Sequence, residues 1–501
     1  MSIKTNPLTQ TDFYKTGHIF QYPQGTEMVY SNFTPRSAKH SPIDPDTFSN
    51  KVVFYGLQGF IKSFLIDTWN AEFFNQPKDK IVARYKRRLD TSLGPDAVPV
   101  SHIEALHDLG YLPIEIKALP EGSRVNIGVP VFTVKSTVPA FYWVTNYLET
   151  PISSEVWKPI TNATIAYEYR QILDRWAAIT GTFPGFVPWQ GHDFSMRGIS
   201  GLDESAISGS AHLLSFTGTD TISAIDYLED YYGADAEKEL IGGSVPATEH
   251  SVMCMGTMEG EIDTFRRLIT KTYPAGVVSI VSDTWDFWKV ITEYSVELKE
   301  DILNRKVNGL GLAKVVFRPD SGDPVKIIAG DPDAPIDSPE YKGAVECLWN
   351  IFGGDVSEQG YKTLNQRVGL IYGESITLQR AEIIMERLAA KGFSSGNVVI
   401  GIGSYTYQYN TRDSFGFAMK ATYGVVNGNP REIFKNPKTD SGLKKSAKGL
   451  LRVEYEDGNF VLYDQQTVAQ EQQGKLKTVF KDGKLIVDQT LSEIRQRLGT
   501  L

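Results

Sequence analysis

Short apolar runs alternate with helical stretches through the middle of the chain, from about residue 151 to 400. Four of these runs are rich in Val and Ile, which is typical of strands that are buried on both faces. They cover residues 277–283, 314–320, 367–374 and 397–404. Polar and charged residues follow each apolar run, so polar side chains are expected where the strands end.

Helices are predicted in the gaps between these strands. Ser338 and Pro339 form an N-cap and first-turn pair, and apolar residues up to Phe352 follow on one face. After Ser375 a further helix is predicted to run to a C-cap at Gly392. The repeated strand-then-helix order predicts a parallel sheet, either open or closed into a barrel. In both versions, ligand sites form at the carboxyl ends of the strands.

The two ends of the chain have the pattern of antiparallel strands. Residues 113–119 and 125–134 alternate apolar and polar positions, as half-buried strands do. Near the other end, Asp457-Gly458 and Asp482-Gly483 each predict a tight hairpin turn, and a short helix closes the chain. Because the two end regions share this pattern, we expect them to pack together beside the central region.

The pattern therefore predicts an α/β protein with three parts. These are a mixed α+β part over residues 1–150, an α/β barrel-like catalytic part over 151–404, and a β-rich part over 405–501 that packs with the first. The basic run at residues 78–91 is interpreted as the solvated face of a helix.

Composition narrows the class of protein. The 501 residues are 41% hydrophobic and 22% charged, which is a globular composition and excludes a disordered chain or a coiled coil. The net charge of −9 argues against a broad nucleic-acid or anionic-membrane surface. Two cysteines cannot form a disulfide framework, and the N-terminus lacks a signal-peptide core, so a cytoplasmic protein is expected.

Common nucleotide and hydrolase motifs are absent from the sequence. There is no GxxxxGK[ST] loop, GxSxG elbow or HExxH helix, and the GLGLA segment at 309–313 precedes a strand instead of following one. What remains is a set of clusters at predicted strand ends. Arg318 and Asp320 lie two apart after a buried strand, so both side chains can face one ligand. Arginine binds phosphate and aspartate accepts from sugar hydroxyls, although a surface ion pair is the alternative.

Other clusters carry histidines and carboxylates. Residues 191–198 contain His192, Phe194 and Arg197, and residues 215–220 end at Asp220. His192 and His212 are equally well explained as structural histidines. His250 follows a flexible entry and can act as phosphate ligand, acid, base or nucleophile, with Asp283 placed to orient its ring.

A phosphate-binding loop is also predicted. Residues 401–406 offer backbone N–H groups, and residues 372–375 lead into a helix N-terminus. A cationic series follows in an otherwise acidic chain, which fits either a polyphosphate ligand or a solvated loop: Arg412, Lys420, Lys435, Lys444, Lys445 and Lys448. The residues alone therefore predict binding of a phosphorylated sugar without naming the reaction.

Several long blocks, in order, give the chain a close resemblance to the nicotinamide phosphoribosyltransferases, of the type II phosphoribosyltransferase family. The resemblance covers nearly the whole chain and rests on residues 11–23, 53–58, 112–122, 142–150, 192–198, 216–220, 244–251, 281–286, 317–322 and 411–420.

The resemblance implies a fold, a reaction and an assembly. The fold is an irregular α/β barrel-like domain packed on a β-rich domain built from both termini. The reaction is nicotinamide plus phosphoribosyl pyrophosphate giving nicotinamide mononucleotide and pyrophosphate, with Mg²⁺. ATP hydrolysis is coupled through phosphorylation of a histidine, here His250. The assembly is a homodimer whose active sites are shared, with Tyr14, Arg412, Lys420 and Lys435 reaching across.

The resemblance also implies roles for single residues. Phe194 and Tyr14 stack the nicotinamide ring, Asp220 holds its carboxamide, and Asp12 joins the substrate site. The catalytic residues are His250, Asp283 and Asp320, with Arg197, His250 and Arg318 on pyrophosphate and Asp320 on the ribose. The nucleotide phosphate and sugar are surrounded by Gly373, Glu374, Gly403, Ser404 and Arg412. No direct metal ligand is assigned.

Two positions depart from the family pattern. Residues 373–375, Gly-Glu-Ser, stand where Gly-Asp-Gly or a similar triplet is expected, so Glu374 is one methylene longer than the usual ribose ligand. Ser404 occupies a position that is often glycine, so its side chain either crowds the phosphate loop or adds a donor to it.

Asp220 separates the main alternatives. A carboxylate accepts an N–H from nicotinamide and repels the carboxylate of nicotinate, so it argues against a nicotinate phosphoribosyltransferase. A catalytically silent phosphate-binding protein is disfavoured because every catalytic residue is present. A sugar-phosphate lyase on a barrel needs a lysine at a strand end, whereas Lys314 begins its strand.

Overall fold

The computed structural model describes residues 6–373, 375–434 and 447–501. Within these ranges it contains nineteen strands, labelled in chain order. They are β1 Thr26–Thr34, β2 Lys51–Val53, β3 Ile114–Ala118, β4 Arg124–Asn126, β5 Phe132–Ser136, β6 Gly191–Asp193, β7 Gly218–Thr219, β8 Gly276–Val281, β9 Ala313–Arg318, β10 Gly354–Val356, β11 Lys362–Leu364, β12 Val368–Tyr372, β13 Val398–Ile402, β14 Ala418–Val426, β15 Asn429–Glu432, β16 Leu450–Glu456, β17 Asn459–Gln466, β18 Lys477–Lys481 and β19 Lys484–Leu485.

Helices connect most of these strands. The α-helices are Leu57–Phe60, Lys78–Leu93, Ser101–Leu109, Val144–Tyr147, Glu149–Thr180, Val187–Gln190, Leu202–His212, Ser223–Tyr232, His250–Met255, Glu261–Arg267, Phe287–Lys289, Ser295–Glu297, Lys299–Leu303, Pro324–Ala329, Pro339–Lys342, Ala344–Phe352, Leu378–Ala390, Ser404–Gln408, Val468–Glu471 and Leu491–Leu498. Turns of 3₁₀-helix cover Pro7–Thr9, Phe13–Phe20, Pro139–Phe141, Pro184–Phe186, Met196–Gly198, Ser395–Asn397 and Arg412–Ser414, and π-helical turns cover Ile61–Thr68, Asn70–Phe74, Leu268–Thr272 and Val290–Tyr294. Within the described ranges, none of the helices combines the length and apolarity that a bilayer crossing needs.

The chain divides into two compact units. The first unit contains Met1–Thr164, Leu228–Ala234 and Asn410–Gly499. The second contains Ile165–Tyr227, Asp235–Tyr409 and Thr500–Leu501.

The second unit is built on a six-stranded parallel sheet. The strand order is β7-β6-β13-β12-β9-β8, and every neighbouring pair runs parallel. The Val- and Ile-rich runs of the sequence supply four adjacent strands, β13, β12, β9 and the edge strand β8, and all five residues of β12 are buried. Helices such as Leu378–Ala390 turn an apolar face inward, with Ile384 and Met385 fully buried. This arrangement confirms the predicted α/β class and its parallel sheet.

The first unit is built on a seven-stranded antiparallel sheet. Its order is β15-β14-β1-β5-β3-β18-β19, so strands from both ends of the chain lie side by side. Both Asp-Gly hairpins form as predicted, and Asp457 and Gly458 have the positive φ angles of 48° and 78° that a tight hairpin turn requires. The sheet therefore confirms that the two end regions join in one β-rich structure.

Two predicted elements are divided by glycines. The segment 125–134 is not one strand, because a turn at Gly128, with φ of +91°, separates β4 from β5, and the two pair in different sheets. Likewise the helix after Ser338 stops and restarts at Gly343. A Cβ there would lie 2.4 Å from the backbone nitrogen of Gly330, so close backbone packing requires the glycine. The two segments form strand and helix as their patterns predict, but a glycine divides each of them into two elements.

His102 makes part of the stability of the first unit pH-dependent. Both ring nitrogens are buried and make no hydrogen bond with the described residues, and the ring packs edge-on against Phe20 and Trp143. Burial lowers the pKa of His102 from 6.5 to about 4. The unfolded chain therefore binds more protons between these values, so stability is full above about pH 6.5 and falls as the pH drops towards 4.

We expect His102→Phe to flatten this dependence, because phenylalanine keeps the ring contacts and cannot be protonated. The test compares melting temperatures of the variant and the parent at pH 7 and pH 5. The parent should lose more stability than the variant on acidification. An equal loss would exclude His102 as a source of the pH dependence.

Candidate functional site

Most of the site residues predicted in the second unit follow the carboxyl ends of the parallel strands. Phe194 follows β6, Asp220 follows β7, and Arg318 is the last residue of β9. Asp283 comes two residues after β8, and Gly373 comes directly after β12. Because parallel strands end at one edge of the sheet, these side chains lie on the same side of it. The edge is therefore the candidate active site.

A buried carboxylate fixes the loops at one end of this edge. Asp193 is fully buried and accepts hydrogen bonds from the Ser195 N–H at 2.9 Å and the Thr221 hydroxyl at 2.7 Å. Its carbonyl oxygen accepts the N–H of Asp220. These bonds link the loops after β6 and β7, and they set the position of Asp220 relative to Phe194.

Asp220 uses one of its two carboxylate oxygens to hold its own position. Its Oδ1 accepts hydrogen bonds from His192 Nε2 at 2.9 Å and from the Ser244 hydroxyl at 2.7 Å. No described residue donates to Oδ2, and the side chain is 43% exposed. Burial raises the pKa of Asp220, but the bonds from His192 and Ser244 and the charge of Arg318 outweigh it and leave the pKa below its usual value. The residue is thus a fixed, ionised acceptor with one open oxygen.

An aromatic ring lies beside this acceptor. The guanidinium of Arg318 lies 4.8 Å from the ring centroid of Phe194, and the His192 ring lies 4.5 Å from it on a 38° tilt. The Nε of Arg318 is buried and donates to no group among the described residues. An orphaned guanidinium nitrogen is costly unless a ligand accepts from it. Arg318 is therefore placed to receive an anion next to the Phe194 ring.

A second cluster combines a histidine with two carboxylates. His250 Nε2 lies 3.3 Å from Asp283 Oδ1 and 3.7 Å from Asp320 Oδ1. The other oxygen of Asp283 accepts from the N–H groups of Asp320 and Ser321 and from the Ser321 hydroxyl, at 2.6 to 2.9 Å. His250 begins the helix His250–Met255, and its side chain is 46% exposed. The ring is held by carboxylates yet open to solvent.

The two carboxylates of this cluster have opposite pKa shifts. Burial raises the pKa of Asp283, but its hydrogen bonds from Ser321 and Asp320 more than offset that effect and lower it overall. Burial and the neighbouring Asp283 charge raise the pKa of Asp320. Two carboxylates in contact with different pKa values are typical of catalytic and cation-binding sites.

Gly373 has no side chain to collide with the side chain of Asp320. A Cβ on Gly373 would lie 2.6 Å from the Cβ of Asp320 and 3.4 Å from the Nε of Arg318. The Gly373 N–H also donates to the carbonyl of Pro319 at 3.0 Å. The ends of β9 and β12 are thus in direct contact at the site.

Ser404 packs against a second glycine. A Cβ on Gly198 would overlap the Ser404 side chain, so the absence of a side chain at 198 accommodates the serine. Gly403 precedes the helix Ser404–Gln408 and its carbonyl accepts from Thr406. Arg197, next to Gly198, is exposed and makes no ion pair within the described residues. The side chain of Ser404 therefore packs in the space beside Gly198 and does not project freely into the phosphate loop.

We expect Gly198→Ala to destabilise the second unit by about 1–3 kcal/mol, because the added methyl group meets the Ser404 side chain. Ser404→Gly in the same chain should recover most of the loss, because it removes the contacting atoms. The check is a double-mutant cycle of the free energy of unfolding. If the effects of the two substitutions on the free energy of unfolding were additive, the packing of Ser404 on Gly198 would not explain the loss of stability in Gly198→Ala.

The remaining site residues predicted from the sequence lie in the first unit or outside the described residues. Asp12 accepts a hydrogen bond from Thr150 at 2.8 Å, and the ring of Tyr14 is 59% exposed. Arg412 and Lys420 are both exposed. Glu374 and Lys435 lie outside the described residues.

Three contributors to the site were not assigned by the sequence. Ser244 and Ser321 position Asp220 and Asp283, and His192, which the sequence left undecided, bonds to Asp220. Ser321 directly follows Asp320, so its place in the strand-end segment was the available signal. Ser244 lies in a loop far from Asp220 in sequence and carried no such signal.

Comparison with known proteins identifies the family. The model of the nicotinate phosphoribosyltransferase (NAPRTase) family matches residues 189–484, and that of the nicotinamide phosphoribosyltransferase N-terminal domain matches residues 6–116. A curated protein from Acinetobacter baylyi, named nicotinamide phosphoribosyltransferase, is 63% identical, with 100% of this chain and 98% of that protein covered. Another of that name from Xanthomonas campestris pv. campestris is 32% identical, with 98% and 97% covered.

Solved structures share the fold at low sequence identity. A crystal structure of nicotinate-nucleotide pyrophosphorylase from Pyrococcus furiosus has a TM-score of 0.57 at 14% identity, covering 99% of this chain and 96% of that one. Human nicotinic acid phosphoribosyltransferase has a TM-score of 0.53 at 16% identity, covering 98% and 93%. These structures show the fold, and the family matches with the 63% identical relative show the family. The chain belongs to the nicotinamide phosphoribosyltransferases, within the wider nicotinate phosphoribosyltransferase family.

Proposed function

We propose that the chain transfers the phosphoribosyl group of phosphoribosyl pyrophosphate to nicotinamide, giving nicotinamide mononucleotide and pyrophosphate in NAD salvage. The observation that carries the choice of base is Asp220, an ionised acceptor with one oxygen held by His192 and Ser244 and the other open. The names of the curated relatives support the same activity.

Nicotinamide fits this acceptor because its carboxamide has N–H groups to donate. The open Oδ2 of Asp220 would accept one of them while the pyridine ring packs on Phe194. Nicotinate presents a carboxylate at the same place, and two carboxylates repel each other. A mispaired charge of this kind costs a few kcal/mol, which corresponds to about 100-fold discrimination or more.

The reaction exchanges two bonds at the anomeric carbon of the ribose. The ring nitrogen of nicotinamide forms a bond to that carbon as its bond to the pyrophosphate oxygen breaks. Negative charge grows on the departing pyrophosphate, and the proposed role of Arg318 and Arg197 is to stabilise it. The Nε of Arg318, which has no partner among the residues that the structure describes, supports this role. The proposed role of Asp320 is to hold the ribose hydroxyls.

The nucleotide phosphate would bind at the neighbouring strand ends. We assign it to the backbone at Gly373, Gly403 and Ser404, with Glu374 on the ribose and Arg412 of the second chain of the proposed dimer on the phosphate. The close contact of Gly373 with Asp320 supports a continuous site from ribose to phosphate.

Mg²⁺ fits the carboxylates of the second cluster. Ligand atoms of His250, Asp283 and Asp320 lie within 4.8 Å of one another. Carboxylate oxygens are ligands that Mg²⁺ prefers, whereas imidazole suits softer metals, so Asp283 and Asp320 would hold the ion and His250 would not. The ion would neutralise charge on pyrophosphate. The sequence assigned no metal ligand, and these two residues are the proposal.

We further propose that ATP hydrolysis is coupled to the reaction through His250. A neutral ring nitrogen would attack the γ-phosphorus of ATP, forming an N–P bond while the bond to ADP breaks, and water would later release phosphate. The partly exposed ring and its contact with Asp283 support this role, because the carboxylate can orient the ring and stabilise the positive charge that forms on it.

We also propose a cytoplasmic homodimer with shared active sites. Cys254 and Cys347 are both free, as expected in a reducing compartment. Tyr14, Arg412, Lys420 and Lys435 would complete the partner's site, and the exposure of the Tyr14 ring supports this. Sedimentation at micromolar concentration should give the mass of two chains. Mixing inactive Tyr14→Ala chains with inactive His250→Ala chains should then restore about a quarter of the activity.

Arg318→Ala tests the pyrophosphate assignment. We expect the KM for phosphoribosyl pyrophosphate to rise by about 10- to 100-fold, because a charge-assisted hydrogen bond to a phosphate oxygen is lost. The measurement is steady-state kinetics with each substrate varied in turn.

Arg318→Lys is the matched control, because it keeps the charge and loses the planar fork. Its KM for phosphoribosyl pyrophosphate should lie between those of the parent and of Arg318→Ala. An unchanged KM for phosphoribosyl pyrophosphate in the alanine variant, in a protein of normal melting temperature, would remove Arg318 from pyrophosphate binding.

A further inference from the structure

Three arginines of the helix Lys78–Leu93 line a cavity in the first unit. The cavity has a volume of about 260 Å³ and lies between this helix and the N-terminal segment from Asn6 to Thr16. Arg84, Arg87 and Arg88 contribute to its wall. At about 100° per residue, these three positions project within about 100° of one another, so the helix presents them together.

The three arginines differ from other cations of the same helix. Lys78 pairs with Asp108, and Lys86 pairs with Asp90 and Asp96. By contrast, the three arginines are exposed, as the basic run predicted, and their side chains make no ion pair or hydrogen bond with any residue that the structure describes. Nor does any carboxylate line the cavity among those residues. Positive charge is therefore concentrated and unneutralised at one concave place in a chain of net charge −9.

The rest of the wall supplies a polar donor and apolar surface. Asn6 is 6% exposed, and its Oδ1 accepts from the Leu8 N–H, which leaves its amide N–H groups without an acceptor among the described residues. Leu8, Tyr85 and Leu89 are buried and form an apolar base. Phe13, with its ring 51% exposed, lies at the edge.

We propose that this cavity binds a small organic phosphate. Guanidinium groups match phosphate oxygens by paired hydrogen bonds, and the Asn6 amide adds a further donor. The volume is just below the usual range for ligand pockets, which suits a phosphate carrying one sugar or one ring. Leu8 and Phe13 would contact that organic part. The basic run forms the exposed helix face that the sequence predicted, and the proposal adds a ligand to that face.

Titration calorimetry with ribose 5-phosphate tests the proposal on the full-length protein. We expect two binding sites per chain in the parent, one at the candidate active site and one in this cavity with a Kd below about 1 mM. Arg84→Gln/Arg88→Gln should lose one site or weaken it at least about tenfold, because two charge-assisted contacts are removed. Its kinetics with nicotinamide should stay unchanged.

Lys86→Gln is the matched control, because it removes one charge from the same helix outside the cavity, and it should keep both sites. Inorganic phosphate should bind more weakly than ribose 5-phosphate, and ribose alone should not bind. A parent with one site, or two sites in the double arginine variant, would overturn the proposal. So would a double variant that changes only the oligomeric mass, because the cavity would then serve contact between copies.

Discussion

Replacing His250 with alanine should abolish ATP hydrolysis and any phosphohistidine, and should slow nucleotide synthesis by about 100-fold or more. The physical reason is that the ring is the nucleophile proposed for the γ-phosphoryl group, and it lies 3.3 Å from the Asp283 oxygen that orients it. Its side chain is 46% exposed, so the substitution leaves no cavity in the core and the fold should be unaffected. Labelling with γ-³²P-ATP, run beside steady-state kinetics, measures both effects.

His40→Ala is the matched control, because it removes another exposed histidine far along the chain from the site. The His40→Ala protein should be labelled with ³²P as the parent is, and it should synthesise the nucleotide at the parent's rate. Asp283→Asn should keep a weak label and lower the rate, since the ring loses the charge of its partner and keeps its attacking nitrogen. A full label in His250→Ala would remove this residue from the coupling to ATP.

Changing Asp220 to asparagine should relax the choice of base. The Oδ1 of asparagine can still accept from His192 and Ser244, so the side chain should keep its position, while an amide NH₂ replaces the open oxygen. A donor at this place favours the carboxylate of nicotinate and opposes the N–H of nicotinamide. We expect the ratio of kcat/KM for nicotinamide over nicotinate to fall by about 100-fold or more. Steady-state kinetics with both bases measures the ratio.

Ser244→Ala tests whether the choice of base depends on the Asp220 carboxylate itself or on the hydrogen bond that positions it. It removes one hydrogen bond to Asp220 and leaves the carboxylate in place, so the preference for nicotinamide should persist while activity falls modestly. If Asp220→Asn kept the parent ratio, the specificity would come from another part of the site.

The elements that could be predicted from the sequence are those whose pattern follows from local physics. Buried parallel strands are continuous runs of Val and Ile, and Asp-Gly turns fix two hairpins, so both sheets were predictable. The break at Gly343 was not, because it depends on the backbone of Gly330 packing against that glycine, whereas the break at Gly128 comes from a turn with positive φ that has no packed neighbour. Tertiary contacts decide where the helix before Gly343 ends.

The residues of the candidate site likewise divide into those that local sequence pattern predicts and those that depend on tertiary contacts. Arg318, Asp320 and Asp283 were candidates because they follow apolar runs, and parallel strands bring their ends together. The bond from Ser244 to Asp220 joins residues 24 positions apart through loops, and no spacing rule predicts it. The packing of Ser404 on Gly198 likewise explains a departure from the family pattern that the sequence only noted.

The most direct test of the proposed function is the identity of the product. The protein is incubated with phosphoribosyl pyrophosphate, Mg²⁺ and either nicotinamide or nicotinate, each with and without ATP, and the nucleotides are separated by chromatography. Nicotinamide mononucleotide should form, with faster turnover when ATP is present, and nicotinate should give little or no product. Nicotinate mononucleotide as the main product would contradict the role of Asp220, and no product from either base would contradict the proposed reaction.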